Sequence, residues 1–268
     1  MNISKAEQFV NEAINRFAEV IEIPFAIPVY ICARQEVDEE RTKLMRSLGA
    51  EYEDFQDTTM GETINGVNGS AIVIYPFNIF NRDELNHILM HEMGHYAFRY
   101  ENPEIDRKQI AGEYGKRKLS GFTLFDEFIA ETVTFMVTGE SFYRDNCQQE
   151  LIRTFWNALP GSNPQMTPEA YYQREMYKAG IKVNTPELGY YIARIIADPM
   201  ITSMIAENPT FERGFMYCGK AQADVIEDIA VYLSDFMAKK ESLQDMLKIT
   251  EDELDAIGKM VLKLIGLR

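Results

Sequence analysis

The chain has 268 residues, enough to bury one large core or two small ones. It is 46% hydrophobic and 26% charged, with no excess of Gly or Pro, which is a globular composition. Its formal charge of −15 excludes the basic footprint that a duplex or an RNA backbone requires of a partner. Cys32, Cys147 and Cys218 stand far apart and form no CxxC pair, so they read as thiols of a reducing compartment rather than a disulfide frame. The opening "MNISKAEQFVNEAINRF" has no apolar signal core, and the longest apolar run, "SAIVIYPFNIF", is too short to span a bilayer. These features predict a soluble cytoplasmic protein with neither a nucleic-acid nor a membrane partner.

In chain order, "SKAEQFVNEAINRFAEVI" has helical periodicity, with Ser4 and Glu7 as a capping box and Pro24 as its limit. "IPVYICA" (27–33) is apolar and β-branched and predicts a strand. "DEERTKLMRSLGA" predicts a short helix with an acidic start, ending at Gly49. In "ETINGVNGSAIVIYPF" two Asn-Gly pairs precede an apolar strand at 70–76, the mark of a hairpin or tight turn. A helix over about 82–100 follows, with Asn81 and Glu84 at its start.

Residues 101–120 are polar and contain glycine, and so predict a connecting loop. "TLFDEFIAETVTFMVTG" predicts a buried helix ended by Gly139, and nearly everything from 141 reads helical. The last helix begins at Thr250, with Glu253 three residues on. The fold class is therefore α+β, a small sheet near the front and a large helical remainder, divided as 1–140 and 141–268 or forming one domain.

All three histidines of the chain fall within "NHILMHEMGHYAF". His91 and His95 are i and i+4, one turn apart on the same helix face, where two imidazoles can bind one Zn²⁺ at roughly 2.0–2.1 Å each. Glu92 stands beside them, where it can hold and deprotonate a metal-activated water. His87 cannot join that pair. It is about 12 Å from His95 along the axis at 1.5 Å per residue, beyond the reach of one ion. That leaves His87 a second-layer, substrate-side or core residue. Gly94 costs about 1 kcal/mol in a helix interior, and this predicts close approach of a neighbouring helix.

A catalytic zinc takes three protein ligands and keeps one position open. With the histidines spent and no cysteine near, the third must be a carboxylate. "FDEFIAETVTF" offers Asp126, Glu127 and Glu131 in an apolar run, where acids are costly unless paired or coordinated. Glu127 and Glu131 share a face, so one can bind metal while the other accepts a ring N–H of a ligand histidine.

"HEMGH" followed by a helix with "DEFIAE" resembles the gluzincin class of zinc metallopeptidases. The likeness covers about residues 70–138, and "DEFIAE" is similar to the thermolysin-type "NEAISD" element. The resemblance implies a zincin-like fold in which the sheet packs on the HExxH helix. It implies Glu127 as third ligand and Glu131 as the supporting acid, with Asp126 at a neighbouring polar position. It further implies that the strand at 70–76 is the sheet edge that pairs with an extended peptide substrate. The gap from His95 to Glu127 is longer than in the tightest members of the class. Members use a Tyr or His to stabilise the oxyanion. "PELGYYIARIIAD" offers Tyr190 first and Tyr191 second, although Pro186 stands where one branch places its tyrosine.

The expected function is a zinc peptidase with Glu92 as general base. The alternatives are an inactive metal-binding or interaction protein on the same fold, and a zinc hydrolase of a non-peptide amide.

Overall fold

The computed structural model describes residues 2–22, 27–105, 115–139 and 220–264. Their elements are α1 (Ile3–Ala18), β1 (Val29–Ile31), α2 (Val37–Leu48), β2 (Gly61–Gly66), β3 (Gly69–Ile74), α3 (Arg82–Glu101), α4 (Gly115–Thr138), α5 (Lys220–Ala238), α6 (Leu243–Met246) and α7 (Glu251–Leu264). The architecture is mixed α+β, a three-stranded sheet with mostly helical surroundings. Contacts divide the chain into two compact units, Met1–Glu101 with Val133–Phe142, and Asn102–Thr132 with Tyr143–Arg268.

In the first unit the sheet order is β1-β3-β2, with β1 parallel and β2 antiparallel to β3. The predicted hairpin is present: Gly66 pairs with Gly69 across a two-residue loop, Val67-Asn68. One expectation is corrected here. The strand at 70–76 is not a sheet edge: β3 lies between β1, paired at residues 72–74, and β2, paired at residues 69–74. Among the described residues the edges are β1 and β2.

Successive residues of a strand face opposite ways. On one side of the sheet, Cys32, Ile64, Val73 and Tyr75 pack with Val37 and Met45 of the α2 segment. On the other, Ile74 and Ile88 of α3 converge on Gly61. Helix α1 buries Ala6, Val10, Ala13 and Phe17, a stripe at helical spacing. Its cap is Asn2, whose side chain accepts from Lys5 N at 2.9 Å, and not the predicted Ser4. The chain is already helical from Ile3, so Ser4 and Glu7 lie inside the helix.

Helix α2 ends as predicted at Gly49, left-handed at φ 67°. Ala50 N donates to Met45 O at 2.8 Å and Gly49 N to Arg46 O at 3.2 Å, the paired bonds of a Schellman ending. Arg16 Nη2 donates to Val137 O at 2.7 Å, placing a cation on the last carbonyls of α4.

A polar cluster is buried on the α2 side. Arg41, 5% exposed, grips Glu62 with two parallel bonds, Nε to Oε1 at 2.7 Å and Nη2 to Oε2 at 3.0 Å. Arg41 Nη1 also donates to Glu53 O, and the Tyr75 hydroxyl donates to Glu62 Oε1. Burial and then the Glu62 carboxylate push the Tyr75 phenol above its usual range. Burial, followed by the carboxylates of Glu36, Glu40 and Glu62, pushes the Cys32 thiol up to about 11.

In the second unit, α4 begins at Gly115, inside the segment predicted as a loop. Gly121 is a contact point: a Cβ there would lie 1.9 Å from Leu254 O of α7. Phe125 meets Phe236 edge-on at 5.1 Å between centroids, and Lys118 pairs with Glu251 at 2.7 Å. The buried Asn102 amide donates to Leu247 O at 2.7 Å and accepts from Ile249 N at 3.2 Å. Thr250 and Glu253 form the predicted capping box, with Thr250 N to Glu253 Oε2 at 2.7 Å and Glu253 N to Thr250 Oγ1 at 3.3 Å.

Candidate metal centre

Local sequence sets α3. Asn81 Oδ1 accepts from Glu84 N at 2.8 Å, and the Glu84 carboxylate turns back to accept from Phe80 N at 2.7 Å. The helix is buried around much of its girth, through Leu85, Leu89, Met90, Met93, Tyr96, Ala97 and Phe98. It packs on α1, β2 and β3. His91, Glu92 and Gly94 share that burial, so the motif sits inside a packed helix rather than on a solvated one.

The His91 and His95 rings stand edge to face, with centroids 4.6 Å apart and planes at 88°. Their Nε2 atoms are 3.0 Å apart. Two ligands bound to one tetrahedral ion at about 2.05 Å would be about 3.3 Å apart, close to this spacing. The same spacing suits a hydrogen bond in which one ring donates its proton to the other. Metal binding would displace that proton and turn both lone pairs inward. His87 stacks on the other side of His91, with centroids 6.2 Å apart and planes at 21°.

Glu92 is 8% exposed. The Thr63 hydroxyl of β2 stands 2.7 Å from Glu92 Oε2 and 3.0 Å from the Glu92 carbonyl oxygen. Gly61, two residues earlier on the same strand face, lets β2 come this close. A Cβ there would lie 2.6 Å from Ile88 Cγ2 and 3.3 Å from Glu92 Cγ.

On α4, Glu127 and Glu131 are buried among Phe125, Phe128, Ile129, Ala130 and Val133, while Asp126 is only partly covered. The candidate ligands are His87, His91 and His95 of α3 in the first unit, and Glu127 and Glu131 of α4 in the second. Two imidazoles and a carboxylate are a donor set that suits Zn²⁺.

Tyr190 and Tyr191, the expected oxyanion donors, lie outside the described residues, as does Arg194 on the same predicted helix. Thr63 and Gly61 belong to the site's surroundings, and motif reading passed over both. The signal that was available is the alternation in "GETIN", which puts Gly61 and Thr63 on one face and Glu62 and Ile64 on the other.

No protein-family model matches the chain, and comparison with characterised proteins and with solved structures returns no match.

Proposed function

We propose that the protein is a zinc-dependent metallopeptidase of the gluzincin type. The observation that carries the reading is the His91–His95 pair, His91 buried and His95 half-buried, with ring nitrogens 3.0 Å apart and the buried Glu92 next to His91 on the same helix. Glu127, a carboxylate buried on α4, supplies the third ligand of a two-histidine, one-carboxylate set. Glu131 serves as a supporting acid, not as a ligand of the same ion. When bound, zinc would supply a Lewis acid that acidifies a water and polarises the scissile carbonyl.

The chain's own residues do the rest. Glu92 takes the proton of the attacking water and returns it to the leaving amine, so no covalent acyl-enzyme forms. Among the described residues β2 is paired on one side only, and it carries Thr63 towards Glu92. An extended peptide adding to that edge would run past the base.

The test is metal analysis joined to peptide-library cleavage. Wild type should purify with about one zinc per chain. Glu92→Gln should keep the metal and lose roughly 10²–10⁴-fold in rate. A zinc content far below one and unchanged by His91→Ala, or equal cleavage by wild type and Glu92→Gln, would overturn the reading. Retained zinc with hydrolysis of amides other than peptides would redirect it to another hydrolase.

A further inference from the structure

We infer that Thr63 is the positioning residue of Glu92, held in place by a strand that is anchored on its opposite face. The kinetic half of this inference rests on the peptidase reading above, and the structural half does not. Strand β2 presents successive residues to opposite sides of the sheet. On the α2 side, Glu62 is gripped at both oxygens by Arg41 and receives the Tyr75 hydroxyl, while Arg41 is tied to the Glu53 carbonyl. A bidentate guanidinium–carboxylate pair fixes orientation as well as distance. The strand therefore cannot slide or roll at residue 62 without breaking a partly buried, two-bond pair.

On the α3 side, the lack of a side chain at Gly61 seats the strand against Ile88 and against Glu92 Cγ. The next residue on that face is Thr63. Its hydroxyl donates to Glu92 Oε2 at 2.7 Å. One oxygen is tied and the torsion of the carboxylate is set. The other oxygen, Oε1, keeps one direction for the proton it is to take. A β-branched side chain adds stiffness, because χ1 of threonine has few accessible wells. Geometry of this kind matters steeply, since displacement of a reacting group by about 1 Å can cost on the order of 100-fold in rate.

Three variants test the inference. Thr63→Val keeps the shape and the strand propensity but removes the hydroxyl. It should lower kcat roughly 10- to 100-fold with KM and zinc content unchanged. Thr63→Ser restores the hydroxyl and should return kcat to within about threefold of wild type. Thr63→Ala serves if the valine variant does not fold, and should behave as the valine is expected to. A kcat for Thr63→Val within about twofold of wild type, or equal losses for valine and serine, would overturn the inference.

Crystal structures of wild type and Thr63→Val give a second readout that does not need turnover. The Glu92 carboxylate should leave its wild-type position or split over several. A carboxylate that stays in place with the same order would overturn the positioning role. A wild type that cleaves no peptide while its Glu92 moves on loss of the hydroxyl would instead sink the peptidase reading and leave this inference standing.

Discussion

Cys32 shows how much a single side chain can reveal about its surroundings. Its thiol is buried beneath the sheet with three carboxylates in range, and it titrates only near 11 against an ordinary value of 9.0. The folded state thus keeps a proton that the unfolded chain releases, so stability should fall as pH rises from about 9 to about 11 and level off above. Urea unfolding across that window should show a flatter decline for Cys32→Ala than for wild type. Equal slopes would mean that the thiol is wetter than its burial implies. The same scale separates what was legible from what was not. His91, Glu92 and His95 could be read directly, because i and i+4 on a helix is local geometry that needs no knowledge of the fold. Thr63 could not, because its partner lies 29 residues away and is delivered by strand packing. Glu127 and Glu131 were legible as acids stranded in an apolar run, but periodicity alone left open which of them binds metal.

Elements were predictable in proportion to how locally they are specified. α2, α3 and α7 carry their own start and stop signals, at Gly49, at Asn81 with Glu84, and at Thr250 with Glu253, and each is where the sequence puts it. The position of β3 in its sheet was misread because strand order depends on the parallel partner β1, about forty residues upstream, and nothing within 70–76 records it. Gly121 carries two opposed effects. By propensity glycine weakens a helix, whereas in the structure it is where α4 touches the backbone of α7. Gly121→Ala makes the contrast measurable. Helix propensity alone would favour alanine by about 1 kcal/mol. A Cβ at 1.9 Å from Leu254 O must push α7 away, at a cost of up to about 3 kcal/mol, so a net loss of up to about 2 kcal/mol is expected. A raised melting temperature would show that α4 and α7 can part cheaply.

At the scale of the whole molecule, a bound ion should couple chemistry to stability. Zinc at about 100 times its dissociation constant would add about 2.7 kcal/mol, which for a chain of this size corresponds to roughly 5–10 °C in melting temperature. Calorimetry of the chelated protein with and without added zinc should show that shift, and His95→Ala should abolish it. A shift that survives His95→Ala would place the metal elsewhere. No helix among the described residues is long and apolar enough to cross a membrane.

The second unit has one more consequence, in the order of events during synthesis. Asn102 is buried with its amide bonded to Leu247 and Ile249, Gly121 rests on Leu254, and Lys118 reaches Glu251. Each of these ties spans more than a hundred residues. Contacts of such long sequence separation cost loop entropy before they return any stability, and they slow folding. While the ribosome is still adding residues 133 to 246, the apolar face of α4 has no α7 to close on. The contacts that Gly121 and Lys118 make with α7 therefore form only after residues 251–264 have emerged, and until then that surface of α4 is open to non-native contacts.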